Sequence, residues 1–174
     1  PIFLDLKLHD IPNTVRSAGA RIADLGVRVT TVHAAGGAAM LAPLPALERD
    51  DFQFLAVTVL TSMNDSDLAG LGVLDANPAA RVQRLFQLAT GSGITGFICS
   101  PLEVAALSGQ LPNGTFITPG VRPAGAALND QNRVATPAQA KQSGATSLVI
   151  GRPITQAQDP RAAAQAILDE LAHG

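Results

Sequence analysis

Two carboxylates and an ammonium fall within six positions of the stretch FLDLKLHDIPNTV, residues 3–15: Asp5, Lys7 and Asp10. Asp5 and Lys7 are two apart in an apolar run, so on a strand their side chains point to one face. Asp10 follows in the loop before Pro12. A lysine between two carboxylates is held charged, because nearby opposite charge favours its ionised form. Such a lysine is a poor base and a poor Schiff-base nucleophile. It is a good proton donor to a carbanion formed beside it, and it stabilises that carbanion electrostatically. The carboxylates could also repel an anionic group on a substrate. The competing reading is a structural ion network, since paired buried charges can be purely structural.

Other polar groups follow later apolar runs. Thr118-Pro119-Gly120-Val121-Arg122 and Val149-Ile150-Gly151-Arg152 each bring a glycine and an arginine. Backbone N–H groups near Gly151 and a forked guanidinium suit a phosphate dianion. Ordinary loop glycines and surface arginines are the alternative. Gln131, in the long loop after the first of these segments, could fold over a phosphate as a lid. Thr58-Val-Leu-Thr61-Ser62 ends in hydroxyls that could hydrogen-bond the edge of a heterocycle, or could simply make a turn. His33 reads as structural, and Cys99 as packing on a buried strand. Asp65 and Asp67 read as helix-start acids. No His/Cys/Asp cluster has metal-ligand spacing, so no metal is expected.

The elements that must position these groups alternate. Strand candidates are Ile2–Leu6, Arg28–His33, Phe54–Leu60, Gly96–Ser100, Thr115–Thr118 and Ser147–Ile150. Most are continuous apolar runs, as in parallel strands covered on both faces. Helical patterns lie between them. Val15, Ala18, Ile22 and Leu25 make one stripe after Pro12, with Gly26 as the stop. Asn77-Pro78, Thr136-Pro137 and Asp159-Pro160 read as N-cap and first turn, and Ser100-Pro-Leu-Glu103 has capping-box spacing for a helix through Leu107. The last helix carries Ala164, Ile167, Leu168 and Leu171 on one face.

Six β-then-α units imply a parallel α/β fold. An open doubly wound sheet and a (β/α)8 barrel compete. No GxGxxG follows a strand, which weakens the dinucleotide-binding version. The polar residues gather after strand C-termini, where a barrel carries its active site, and the loops after strands seven and eight frequently bind phosphate. A barrel has eight strands, so this pattern predicts one domain over residues 1–174 holding the third to eighth βα units, incomplete at its N-terminus.

Composition agrees with a globular enzyme domain. Of 174 residues, 47% are hydrophobic and 15% charged, which allows a sizeable core. The net charge of −2 offers no field for nucleic acid or for a membrane surface. No apolar run approaches the roughly 18 residues of a membrane span, and no charged leader is visible. A single cysteine excludes an internal disulfide framework and suits a reducing cytoplasm.

Asp5–Thr14 (DLKLHDIPNT) closely resembles the signature of the orotidine 5′-phosphate decarboxylases, the bacterial form above all. VHAAGG (32–37), VTVLTS (57–62), TPGVRP (118–123), NDQNR (129–133) and VIGRPIT (149–155) resemble further segments of that family, in the same order and across essentially the whole chain. The resemblance implies a (β/α)8 barrel, a homodimer with active sites at its interface, and no metal or organic cofactor. Lys7 would protonate C6 of the pyrimidine and Asp5 would lie near the departing carboxylate. Asp10 and Ile11 would reach the partner subunit's site, Asp10 toward the ribose and Lys7 there, and Ile11 toward the apolar pocket receiving CO2. Thr61 and Ser62 would contact the pyrimidine, with Thr14 and Pro119 also among the substrate-binding residues. Arg122, Gln131, Gly151 and Arg152 would hold the phosphate. The substrate would be orotidine 5′-phosphate and the product UMP.

A DxKxxD strand also occurs in the Mg²⁺-using keto-gulonate phosphate decarboxylases and hexulose phosphate synthases. Ile11-Pro12-Asn13-Thr14 and the Thr61-Ser62 pair favour the nucleotide enzyme over that alternative. A truncated barrel that binds a nucleotide monophosphate without turnover is a third reading. The family carries one further Asp and one further Lys, at the ends of its first two strands, and neither can be placed in these residues. A chain physically this short is expected to leave strand edges unpaired, to aggregate, and to decarboxylate poorly.

Overall fold

Parallel pairing in chain order settles the choice between the two architectures. The computed structural model describes residues 1–73, 77–123 and 135–173. Its sheet runs β1-β2-β3-β4-β5-β6, each strand parallel to the next. A doubly wound sheet reverses its strand order at a switch point. Here no reversal occurs, so each unit is laid beside the last, as in a barrel.

The units are β1 (Phe3–Leu8) and α1 (Pro12–Ala23); β2 (Val29–His33) and the short α2 (Ala38–Leu41); and β3 (Gln53–Val57) with α3 (Asp65–Gly70) and α4 (Pro78–Gly91). They continue with β4 (Gly96–Ile98) and α5 (Pro101–Gln110); β5 (Thr115–Thr118) and α6 (Pro137–Gln142); and β6 (Ser147–Leu148) with α7 (Arg152–Thr155) and α8 (Pro160–His173). Local chemistry sets the helix starts. Asn64, Ser100 and Thr136 each close a capping box with the residue three positions on. Asn77 accepts from Ala79 and Ala80 N–H, and Asp159 from Ala162 N–H.

Several boundaries differ from the sequence expectation. Strand β1 runs on to Leu8, while β3 stops at Val57 and not Leu60. Strand β4 ends before Ser100, which caps α5 instead, and α5 continues past Leu107 to Gln110. Strand β6 is two residues long, although Val149 N–H still donates to Thr118 O at 3.0 Å. Leu25 is not on the buried stripe of α1: the helix ends at Ala23, and Leu25 is exposed in the turn closed by Gly26 at φ +72°.

The two faces of the sheet are packed differently. On the outer face Phe54, Phe97 and Phe116 meet Val15, Phe86 and Leu107 from the helices in one large buried cluster. Phe97 sits between two other rings, 4.7 Å from Phe86 and 5.9 Å from Phe116. On the inner face Val29, Leu55 and Ile117 form a small cluster with Ile98. Gly96 faces this side, and a Cβ there would lie 2.6 Å from Leu55 Cδ2 and 2.7 Å from Phe54 O. Only glycine lets β4 approach β3 so closely. Among the described residues β1 and β6 are the two ends of the sheet, each paired with a single neighbour.

Candidate active site

The regular ladder fails in one place. Leu4 is level with Thr30 and Leu8 with Val32. Three residues of β1, Asp5, Leu6 and Lys7, therefore stand opposite the single residue Thr31. This is a bulge, a device that re-aims side chains beside active sites. Lys7 sits within it at φ +52°, the one non-glycine residue with positive φ among those described. Left-handed backbone costs an L-residue roughly 1–2 kcal/mol, so the surrounding contacts must hold it there.

Those contacts are specific. Lys7 N–H donates to Thr31 Oγ1 at 2.8 Å, and the Thr31 hydroxyl donates to Asp5 Oδ1 at 2.8 Å. Lys7 Nζ donates to Asp5 Oδ2 at 2.5 Å. The side chains of Lys7 and Asp5 keep 39% and 46% of their surface open in this six-unit chain.

That opening is a cavity of about 250 Å³ lined by Asp5, Lys7, Thr61, Ser62 and Pro119, with Phe3, Val57, Val59, Leu60, Ile98, Cys99 and Val149 as its mostly apolar walls. It lies toward the C-terminal end of the strands, where a barrel places chemistry. The expected group Asp5, Lys7, Thr61, Ser62 and Pro119 is thus assembled in one place. Cys99 is buried as core packing requires, and it also contributes to the cavity wall.

Asp10 is not part of this group within the chain. Its carboxylate accepts from Ile11 N–H at 2.6 Å, and Lys7 pairs with Asp5 alone among the described residues. Within one chain, then, Lys7 has a single carboxylate partner among the described residues, Asp5. The chain turns into α1 directly after β1 and carries Asp10 away. Ile11 is 67% exposed at the N-cap of α1, and Thr14 is exposed in its first turn.

Arg122 follows β5 and is buried. Its Nη1 donates to the adjacent Val121 O at 2.9 Å, and its Nε is buried without a partner among the described residues. Thr118 Oγ1, four residues earlier, is likewise buried and unpartnered. A guanidinium held this way has unspent donor capacity, which suits an anion. Gly151 is exposed at the end of the β6 segment, and Arg152 opens α7. Gln131 lies outside the described residues.

His33, at the end of β2, lies against His9 with ring centroids 5.5 Å apart. Burial pushes the His33 imidazole below its ordinary pKa of 6.5; His9 and Lys7 push it the same way, while Asp5 pulls it up. Its ring contact with His9 fits the structural reading of this residue. Sequence reasoning passes over Thr31 altogether. The signal available is a pair of hydroxyls, Thr30-Thr31, between two valines in the buried part of β2.

Comparison with known proteins agrees with this geometry. The orotidine 5′-phosphate decarboxylase of Erythrobacter litoralis is 49% identical over 167 residues, covering 96% of this chain and 74% of its own length. That of an Anaeromyxobacter species is 52% identical over 168 residues, covering 96% and 74%. The crystal structure of the Lactobacillus acidophilus orotidine 5′-phosphate decarboxylase superposes with a TM-score of 0.83 at 41% identity, covering 98% of this chain and 75% of that one. The model of the orotidine 5′-phosphate decarboxylase / HUMPS family matches residues 1–167. With six βα units of a (β/α)8 barrel and that match across nearly its whole length, the chain belongs to the orotidine 5′-phosphate decarboxylase / HUMPS family.

Proposed function

We propose that the chain acts in the decarboxylation of orotidine 5′-phosphate to UMP in pyrimidine biosynthesis, as a carboxy-lyase. The observation that carries the reading is the Lys7–Asp5 pair, held open against a cavity with hydroxyls on its far wall. Breaking the bond from C6 to the carboxylate releases CO2 and leaves an electron pair on C6. The ring cannot spread that charge as an enolate would, so stabilisation must come from a fixed cation. Lys7 Nζ supplies the cation and then the proton that C6 takes up. Asp5 lies near the departing carboxylate. Thr61, Ser62 and Pro119 contact the pyrimidine end, and Thr14 adds a further polar contact.

Arg122, Gln131, Gly151 and Arg152 hold the phosphate, and its binding energy is spent at the reacting carbon. The buried, unpartnered Nε of Arg122 supports this assignment. Asp10 and Ile11 are contributed to the site of a second subunit in a homodimer, Asp10 toward the ribose and Ile11 toward the CO2 pocket. Their exposure supports it. The six units are the third to eighth of a single barrel domain, and the enzyme works in the cytoplasm without a metal or organic cofactor.

The test follows loss of orotidylate absorbance with the chain alone and with the chain joined to the first two βα units of the Erythrobacter litoralis relative. Turnover in the joined form, insensitive to EDTA, is expected. Turnover of a sugar phosphate that needs Mg²⁺, with orotidylate untouched, overturns the reading in favour of the sister decarboxylases. UMP binding by calorimetry without any turnover overturns it in favour of a binding protein.

A further inference from the structure

We infer that Thr31 is a positioning residue for Lys7. The inference deepens the decarboxylase reading and rests on it. Three residues of β1 stand opposite Thr31, and its hydroxyl grips both ends of that bulge. It accepts Lys7 N–H at 2.8 Å and donates to Asp5 Oδ1 at 2.8 Å. Lys7 Nζ takes the other carboxylate oxygen. The result is a closed ring: Lys7 N–H to Thr31 hydroxyl, Thr31 hydroxyl to Asp5, and Asp5 back to the Lys7 ammonium.

Each member depends on the others. With Oδ1 engaged by Thr31, the Asp5 carboxylate is fixed in rotation and presents Oδ2 to Nζ. With its N–H held by a side chain where a regular ladder would use a carbonyl, Lys7 keeps its left-handed backbone and its side chain stays at the cavity. Thr31 itself is fully buried on β2, whose pairing with β3 is regular over five residues. The anchor is therefore rigid while the bulge it holds is not regular structure. A hydroxyl is needed there because the site requires one acceptor and one donor on the same atom. Thr31 touches no substrate-facing surface, so its effect reaches the chemistry only through Asp5 and Lys7.

Thr31→Val keeps the shape and removes the hydroxyl; Thr31→Ser keeps the hydroxyl. In the joined barrel described above, Thr31→Val is expected to lower kcat about 30–100-fold with KM within about threefold, as a misplacement of order 1 Å does. Thr31→Ser is expected within about threefold of the parent. In the chain itself, Thr31→Val is expected to speed exchange of the Lys7 amide about tenfold or more, with β2–β3 amides unchanged, because only the bulge opens. A Thr31→Val kcat within about threefold of the parent, or an equal loss in Thr31→Ser, overturns the inference. So does a uniform rise in exchange across the sheet, which marks a merely structural residue. If the parent barrel has no orotidylate activity, the functional reading fails, and the Lys7 amide then decides the positioning role by itself.

Discussion

The inner and outer faces of the same sheet obey different rules. The outer face is apolar and closed: Phe54, Phe97 and Phe116 are essentially fully buried against α1, α4 and α5. The inner face has a cluster of only four aliphatic side chains and then gives way to charge, hydroxyls and an open cavity. Alternation along each strand produces this division, since neighbouring residues point to opposite faces. Phe97 and Ile98 are adjacent in β4, yet one joins the helical layer and the other the barrel interior. Stability is concentrated on the outer face and chemistry on the inner one. Irregular backbone is tolerated at Lys7 because the outer layer holds the rest of β1 in place through Leu4 and Leu8.

Substitutions on the two faces should therefore separate activity from stability. Lys7→Ala, on the inner face, is expected to lower kcat for orotidylate by about 10⁴-fold, since both the proton donor and the fixed cation are lost. Its circular dichroism spectrum and urea midpoint should match the parent. Near-parent turnover in that variant would remove Lys7 from the mechanism. Phe97→Ala, on the outer face, should cost about 3–5 kcal/mol in urea unfolding while leaving kcat per folded molecule nearly unchanged. A cost below about 1 kcal/mol would mean that the packed rings of Phe86, Phe97 and Phe116 do not carry the core as argued. Ser100→Ala removes one half of the α5 capping box, where Ser100 accepts Leu102 N–H at 3.3 Å and Glu103 accepts Ser100 N–H at 2.9 Å. A loss of about 1 kcal/mol is expected, again without a change in kcat.

The smallest effect belongs to the boundary between the faces. His33 ionises below its unfolded value of 6.5 in the folded chain. Between the two values the unfolded chain binds more protons, so stability rises with pH there. The contribution is fully present above 6.5 and is lost as the pH falls through the folded value. His33→Gln should flatten the urea midpoint against pH below about 6.5 and leave it unchanged above. Parallel curves for the two proteins would show that His33 does not couple to folding.

Much of this was legible in residue order. The capping residues were readable because a cap is local: Ser100 and Glu103, or Thr136 and Gln139, are one turn apart and need nothing else. The six strands were readable because most are nearly continuous apolar runs. Their ends were less so, as β3 shows, because pairing and not composition stops a strand. Asp5, Lys7, Thr61 and Ser62 were readable as strand-end groups because a parallel fold brings strand C-termini together, whereas Pro119 was placed with them only by the family resemblance. Thr31 had only the Thr30-Thr31 hydroxyl pair to mark it, which does not say that its partners lie 24 and 26 positions away.

The sequence alone determined the alternation of strands and helices, the start of most helices, and the identity of the charged pair. Those follow from periodicity and from interactions within a few residues. Only the tertiary structure decided that the Asp10 carboxylate accepts from Ile11 N–H, that Lys7 adopts left-handed backbone, and that one buried hydroxyl ties Lys7 to Asp5. Each of those depends on how two strands are registered in space. Register is fixed by the packing of whole faces, and it cannot be computed from either strand by itself.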